Sequence, residues 1–137
     1  MPRYSKSSLD KLSGCHPDLV LIFSEAIKHT DIRILEGVRP TDRQYELYKQ
    51  GRSKCDGFKR KSNHQVKSDG YSWAVDAVPY PVDFADTARF KALAALVLEI
   101  AGKLYAEGKI KHHLEWGGNW KTFIDMPHYE LKQEAKP

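Results

Sequence analysis

The stretch YSWAVDAVPYPVDFADTARFKALAALVLEIAGKLYAEG, residues 71–108, decides the fold, because a strand pattern in it is followed at once by a helix pattern. Residues 71–78 are small, aromatic or β-branched and are ended by prolines, which predicts a strand. From Asp86 to about Glu107, apolar side chains recur at helical spacing, and Gly108 follows as a stop signal. This stretch therefore predicts one strand joined to the longest helix of the chain.

Further helices and strands are expected on both sides of this stretch. Residues 17–29 predict a helix that begins at Pro17, and residues 31–39 predict a strand. Thr41-Asp42-Arg43-Gln44 has the form of a capping box, which predicts a short helix to about Gln50. Short strands are expected at residues 113–116 and 128–131. Helices and strands mix without strict alternation, which favours an α+β class with a small, largely antiparallel sheet packed against helices.

Length and composition predict one compact domain over residues 1–137, with a frayed tail from 132 to 137. Hydrophobic residues make up 41% of the chain, which is enough for one core. Neither a secretory signal nor the ~20 apolar residues of a membrane span is found in the sequence, so synthesis in the cytoplasm is expected. Cys15 and Cys55 are expected to be free thiols, and the protein is expected to be a monomer.

The chain is modestly basic, with a formal charge of +4 and a pI near 9.0. Residues 52–67 hold six Lys or Arg and no apolar period, which predicts an exposed basic loop that extends to about residue 70. This charge favours acidic partners, such as nucleic acid, anionic envelope polymers or carboxylate-rich peptide. Nucleic-acid binding is the weaker alternative, because no interleaved aromatic residues or known binding motif accompany the loop.

Three separated residues could form a metal site: His64, Asp76 and His128. Zinc favours His nitrogen and carboxylate oxygen, with three protein ligands and an open position in catalytic sites. Asp76 lies between small apolar residues of a predicted strand, where a carboxylate is costly unless it is paired or bound to metal. The alternatives are an Asp paired with an Arg and histidines that only pack. Spacing alone leaves these possibilities open, since no contiguous zinc signature is present.

Other polar residues near these three could take part in chemistry. Asp125 and Glu130 flank His128 and offer carboxylates for a general base or for a hydrogen bond to a metal-binding histidine. Arg39 ends the first predicted strand, where it could bind a substrate carboxylate or an oxyanion, or form a surface salt bridge. The adjacent His112 and His113 would point to opposite faces of a strand, so we expect them to be surface or packing residues.

Four separated motifs together resemble the M15 family of zinc peptidases. The branch most similar to them contains the phage endolysins and bacterial enzymes that cleave between L-alanine and D-glutamate in peptidoglycan. The resemblance extends from about Arg33 to Leu131. The motifs, in order, are Ser62-Asn63-His64, Ala74-Val75-Asp76, Trp116-Gly117-Gly118-Asn119-Trp120 and Asp125-Met126-Pro127-His128-Tyr129-Glu130-Leu131.

The resemblance implies the M15, hedgehog-like fold, and it implies a role for several residues. Zinc would be bound by His64, Asp76 and His128, and Asp125 would be the catalytic base. Arg39 would stabilise the substrate, and Gln44 and Trp116 would bind it, with Trp116 forming a wall of the cleft. One feature departs from the family, whose Asp usually lies seven residues after the first His, whereas here the gap is twelve. An insertion within residues 65–71 accounts for the difference, and it is tolerable if it is exposed.

The activity implied is metal-assisted hydrolysis of the peptidoglycan stem peptide by a phage endolysin, which would be stored in the cytoplasm and would reach the cell wall in the periplasm after release. The basic loop would then face anionic envelope polymers. One alternative is a D,D- or L,D-carboxypeptidase, as in the VanY-like members of the family. Another is a metal-binding protein without catalysis, against which a base beside a ligand argues.

Overall fold

The computed structural model describes residues 2–122 and 124–132, which form four helices and one four-stranded sheet. The helices are α1 (Lys6–Leu12), α2 (Pro17–Ala26), α3 (Thr41–Lys49) and α4 (Thr87–Ala106). The strands are β1 (Ile32–Glu36), β2 (Ala74–Pro79), β3 (Leu114–Trp116) and β4 (His128–Leu131), with a short 3-10 turn at Gly117–Asn119. The α+β prediction is therefore confirmed.

Every pair of neighbouring strands in the sheet is antiparallel, in the order β1-β2-β4-β3. The last strand of the chain thus lies between β2 and β3, where it is paired on both edges. In this register Asp76 of β2 lies directly opposite His128 of β4. Directly opposed residues project from the same face of a sheet, so the pairing brings these two side chains together.

One face of the sheet is covered by α2 and α4, and the core lies between these layers. Val75 and Tyr129 point into this core from the two central strands, and both are fully buried. Phe23 of α2 meets the Tyr129 ring edge-on, with 5.4 Å between the ring centroids. Full burial of a side chain of this size contributes about 1.5–3 kcal/mol. The helical spacing of apolar residues that predicted α2 and α4 therefore marks the surface that packs on the sheet.

The opposite face of the sheet carries the polar residues, because side chains alternate along each strand. Asp76, His128 and Glu130 all project from it. A bulge between Ile34 and Glu36 in β1 brings Glu36 opposite Asp76. Without this irregularity Glu36 would share the face of Ile34, which is in the core. The bulge thus turns Glu36 towards the polar face, as bulges near functional sites often do.

Helix α1 was not predicted from the sequence. It is only seven residues long, and the hydroxyl of Ser5 caps it by accepting the backbone N–H of Ser8. The Ser8 hydroxyl in turn accepts the N–H of Ile34 at 3.0 Å, which satisfies a backbone donor of β1. A Cβ atom on Gly37 would lie 2.1 Å from the backbone oxygen of Lys11. The backbone of α1 therefore approaches Gly37 too closely for any side chain at that position.

The capping box predicted at the start of α3 is wrong. Pro40 is the N-cap residue, it makes no side-chain cap hydrogen bond, and Thr41 is already the first helical residue. Gln44 takes no part in capping, because its side chain is fully buried and forms its hydrogen bonds elsewhere.

A smaller difference from prediction is that α2 ends at Ala26, three residues earlier than predicted, with Ile27 as its C-cap. The expected frayed tail lies mostly outside the described residues, which end at Lys132.

The segment between α3 and β2 contains the basic loop and the insertion. Of its six basic side chains from residue 52 to residue 67, five are exposed and Lys67 is half-buried. The insertion forms a turn closed by hydrogen bonds from Lys67 N to Tyr71 O and from Gly70 N to Lys67 O. Gly70 has a φ of +88°, a conformation that favours glycine. The additional residues thus project outwards and leave His64 beside β2.

Candidate metal centre and catalytic site

Three side chains converge on the polar face of the sheet: His64, Asp76 and His128. Asp76 Oδ1 lies 3.2 Å from His64 Nε2 and 3.3 Å from His128 Nδ1, and the two nitrogens are 3.2 Å apart. Ligand atoms about 2.0 Å from a tetrahedral zinc ion are separated by about 3.3 Å. The three atoms therefore already have the spacing of one face of a zinc coordination tetrahedron.

Neighbouring groups turn the correct nitrogen of each histidine towards this centre. His64 is 1% exposed, and its Nδ1 lies 2.9 Å from the carbonyl oxygen of Gly37, to which only a protonated nitrogen can donate. His128 Nε2 lies 2.7 Å from Glu130 Oε1 and donates to it. Each ring therefore turns its other nitrogen towards the centre, where that nitrogen can coordinate a metal ion. Such hydrogen bonds from the far nitrogen are typical of metal-binding histidines.

The electrostatics of the cluster also suit a cation. Burial by itself would raise the pKa of Asp76, but hydrogen bonds with His128 and His64 hold it well below its usual range. Burial alone would lower the pKa of His128, but hydrogen bonds with Asp76 and Glu130 outweigh it and raise the pKa to about 9. Two carboxylates thus stabilise positive charge at this position. Burial, together with the charge of Asp76, raises the pKa of the Cys15 thiol to about 12, which keeps that sulfur protonated.

Arg39 lies next to the cluster and is held by several groups. One guanidinium nitrogen, Nη2, lies 3.9 Å from Asp76 Oδ2. Nη1 donates to Gln44 Oε1 at 2.8 Å, and Nε donates to Glu36. Its backbone N–H donates to the carbonyl of His64. Glu36, which sequence reasoning did not single out, holds Arg39 because the β1 bulge turns it to this face.

Asp125 lies in the turn before β4, near the three candidate ligands. Its backbone carbonyl accepts the N–H of His128, and its own N–H donates to Gly117. Burial raises the pKa of the Asp125 carboxyl, and the charge of Asp76 adds to this effect, while nearby positive groups oppose it. A carboxyl with a raised pKa is better suited to exchange protons near neutral pH.

The two predicted substrate-contacting residues are both buried. Gln44 is fully buried, and its Nε2 donates to Cys55 O at 2.6 Å and to Ser53 Oγ at 2.9 Å. Trp116 is 7% exposed, and its indole N–H donates to Met126 O at 2.7 Å. Both therefore support neighbouring backbone, and neither offers an open surface.

Trp120 is the tryptophan that lies against the cluster. Its ring centroid is 5.0 Å from that of His128, and its indole N–H donates to Glu115 Oε1. Because Glu115 is paired with Glu130 across β3 and β4, it lies on the polar face of the sheet. Sequence analysis included Trp120 in a motif but assigned it no role. No local pattern in the sequence distinguished it from Trp116.

Of the adjacent histidines, His113 packs as expected, with its ring stacked on that of Tyr105 at a centroid distance of 3.8 Å. His112 packs on Trp73 at 4.6 Å but also approaches His16 and Asp18. These three residues are the second group in the described part of the chain with ligand atoms close enough for a metal ion.

Comparisons with known proteins agree on one family. The chain matches the family of phage L-alanyl-D-glutamate peptidases over residues 1–134. It is 32% identical over 114 residues to the peptidoglycan L-alanyl-D-glutamate endopeptidase CwlK of Bacillus subtilis. That match covers 77% of this chain and 64% of the relative, so the chain spans less than two thirds of that protein's length.

A solved structure also matches. The crystal structure of the L-Ala D-Glu endopeptidase ChiX of Serratia marcescens superposes with a TM-score of 0.76 at 28% sequence identity. The superposition covers 96% of this chain and 91% of the other.

Proposed function

Because this chain belongs to the phage L-alanyl-D-glutamate peptidase family, we propose that it is a zinc endopeptidase that hydrolyses the stem peptide of bacterial peptidoglycan. The bond that it cuts is the one between L-alanine and D-glutamate, the bond named for the relatives CwlK and ChiX. In this proposal His64, Asp76 and His128 hold the metal, and Asp125 and Arg39 act on the substrate.

The observation that carries the proposal is the triangle of ligand atoms, with sides of 3.2, 3.2 and 3.3 Å. Two imidazole nitrogens and one carboxylate oxygen are a ligand set that zinc prefers. Three protein ligands leave a fourth position for water, as in catalytic sites and unlike closed structural ones. The resulting chemistry is peptide hydrolysis, because a site of this kind activates water beside a polarised carbonyl.

Zinc bound there would polarise the peptide carbonyl and lower the pKa of a water molecule. Asp125 accepts the proton of the attacking water and then donates it to the leaving amine, for which its raised pKa suits it. The Arg39 guanidinium stabilises the negative charge that develops on the carbonyl oxygen. Glu36 and Gln44 hold that guanidinium, so it needs little rearrangement during the reaction.

The wall of the cleft is formed by Trp120, which packs on His128. Trp116 instead supports the turn before β4, through its hydrogen bond to Met126 O. A half-buried indole beside the metal site is suited to contact an extended peptide. Gln44 acts through Arg39 and has no direct contact with substrate. In this proposal Trp120 contacts the substrate, whereas the sequence-based prediction gave that role to Gln44 and Trp116.

The basic loop is proposed to attract the anionic cell envelope, whose stem peptides carry carboxylates. Phe58 of this loop is 63% exposed and meets the ring of Tyr45 edge-on, with 5.7 Å between centroids. An exposed apolar patch often marks an interaction site, and this one lies beside the exposed cations of the loop. The test replaces Lys59, Arg60 and Lys61 by glutamine, with Lys91, Lys103 and Lys109 replaced in a control of equal charge. We expect only the loop variant to sediment less with purified cell walls, and we expect the difference to be largest at low salt.

We further propose that the protein acts as an endolysin in the lysis of the bacterial host, as a monomer that reaches the cell wall after release. The family to which it belongs is that of phage peptidases. No helix within residues 2–122 and 124–132 is long and apolar enough to cross a bilayer.

The decisive experiment digests purified peptidoglycan with the wild type and with Asp125→Asn, and identifies the new termini by mass spectrometry. The wild type should generate peptides with a new amino-terminal glutamate, whereas a carboxypeptidase would release single amino acids. The variant should be about 10²–10⁴-fold slower, because a general base contributes that much, and should keep its bound zinc. Asp10→Asn, an exposed change in α1, is the matched control. No new amino termini from the wild type would refute the proposal.

A further inference from the structure

His16, Asp18 and His112 form a second group of metal-ligating side chains, apart from the site described above. One ligand atom from each lies within 4.8 Å of the other two. His16 is the N-cap residue of α2, Asp18 lies in the first turn of that helix, and His112 lies in the segment before β3. Two segments that are far apart along the chain thus meet at this point.

The Asp18 carboxylate is buried and connects these segments. Its Oδ2 accepts the backbone N–H groups of Lys111 and His112 at 2.9 and 3.2 Å. Its other oxygen, Oδ1, lies 3.9 Å from His16 Nδ1, which is beyond hydrogen-bonding distance. Oδ2 is therefore used by the fold, while Oδ1 lies on the side of His16.

The Nδ1 atom of His112 is the observation that needs an explanation. It is enclosed by protein and has no hydrogen-bond partner in the described residues. Buried polar atoms are nearly always paired, and an exception points to a bound ion or water. The backbone N–H of the same residue is already fixed to Asp18, so the ring is held close to the carboxylate.

The surrounding rings make this a shielded position. The His112 ring packs on Trp73 at 4.6 Å, and it meets the His16 ring at 5.2 Å and an interplanar angle of 88°. The His16 ring also packs edge-on against Trp73 at 5.3 Å. Two imidazoles and one carboxylate form a donor set for borderline transition metals, such as zinc, cobalt or nickel, and not for calcium or magnesium.

We propose that His16, Asp18 and His112 bind a second divalent transition-metal ion, which fastens the start of α2 to the segment before β3. Binding there is weaker than at the first cluster for two reasons. The ligand atoms are spread over as much as 4.8 Å and must move closer. His16 Nδ1 also accepts the N–H of Asp18 at 3.0 Å, so the metal replaces a helix cap. This inference does not depend on the proposed function.

The test counts metal ions in the full chain, free of any affinity tag, after equilibrium dialysis against zinc. The wild type should bind two equivalents. His112→Phe should bind one, because phenylalanine keeps a ring against Trp73 and the backbone N–H to Asp18 but offers no nitrogen. The matched control is His113→Phe at the neighbouring position, which should still bind two. His16→Asn, which retains a good helix cap, should bind one and serves as a second variant if His112→Phe does not fold.

A second measurement locates the ion. Paramagnetic cobalt added beyond the first equivalent should broaden the NMR signal of the Trp73 indole N–H in the wild type but not in His112→Phe. The inference would be overturned if the wild type bound one equivalent of metal or if His112→Phe bound two. Unchanged broadening of the Trp73 signal in His112→Phe would also overturn it. His128→Phe should lose the other equivalent. If peptidoglycan hydrolysis is absent while two equivalents bind, only the proposed function fails.

Discussion

Glu130 provides the sharpest test of how the candidate metal centre is organised. Its Oε1 accepts the N–H of His128 at 2.7 Å, and its Oε2 accepts the amide N–H of Asn63 at 2.8 Å. Its side chain is 17% exposed, so water screens these bonds only in part. Glu130→Gln retains the size and one oxygen but removes the charge that keeps the proton on the far nitrogen of His128.

Loss of the hydrogen-bond partner of a metal-binding histidine typically weakens metal binding 10- to 100-fold, or by about 1.4–2.7 kcal/mol. We expect a loss of this size in the zinc affinity of Glu130→Gln, measured by competition with a chromophoric chelator. Hydrolysis should fall in parallel at limiting zinc and recover in part at saturating zinc, because the ligands themselves are intact.

The control is Glu46→Gln, which makes the same change in net charge at an exposed residue paired with Lys49 on α3. It should bind zinc as the wild type does. An affinity of Glu130→Gln indistinguishable from the wild type would refute the orienting role. An equal loss in both variants would mean that the total charge, and not the hydrogen bond, sets the affinity.

Three further predictions test the surroundings of the site. Gly117→Ala should abolish hydrolysis of peptidoglycan, because its Cβ would lie 2.3 Å from Asp125 O; Gly102→Ala, in open space within α4, should keep activity and gain about 0.5–1 kcal/mol in urea unfolding. Gln44→Leu should lose about 1–3 kcal/mol of unfolding free energy in the same assay, because buried partners are left unpaired, and an unchanged midpoint would contradict this. Removal of metal by a chelator should lower the melting temperature and stop hydrolysis, and added zinc, but not calcium, should restore both.

Local sequence patterns were sufficient to predict most elements of the fold. The apolar spacing in residues 86–107 predicted α4 within one residue at each end, because that periodicity reflects burial on one face. The last strand was predicted with its observed bounds. Helix α1 was missed because its seven residues carry little periodic signal, and its stability depends on contact with β1.

The capping box at residues 41–44 shows where local chemistry misleads. The pattern fits a helix start, but Gln44 is drawn into a network with Arg39 and Cys55 that only the folded chain provides. The burial of Trp116 could not be predicted for a related reason. Two tryptophans four residues apart are equivalent in the sequence, and the 3-10 turn between them buries one and leaves the other against His128.

What the sequence alone determined was which chemical groups the proposed site contains: two histidines and an aspartate as candidate metal ligands, and a nearby carboxylate as the candidate base. What only the tertiary structure decided was their geometry. His64 is separated from Asp76 by 12 residues and from His128 by 64, yet their ligand atoms lie within 3.3 Å of one another. Strand register places Asp76 beside His128, and the carbonyl of Gly37 orients the His64 ring. These are relations between distant segments, and no local pattern encodes them.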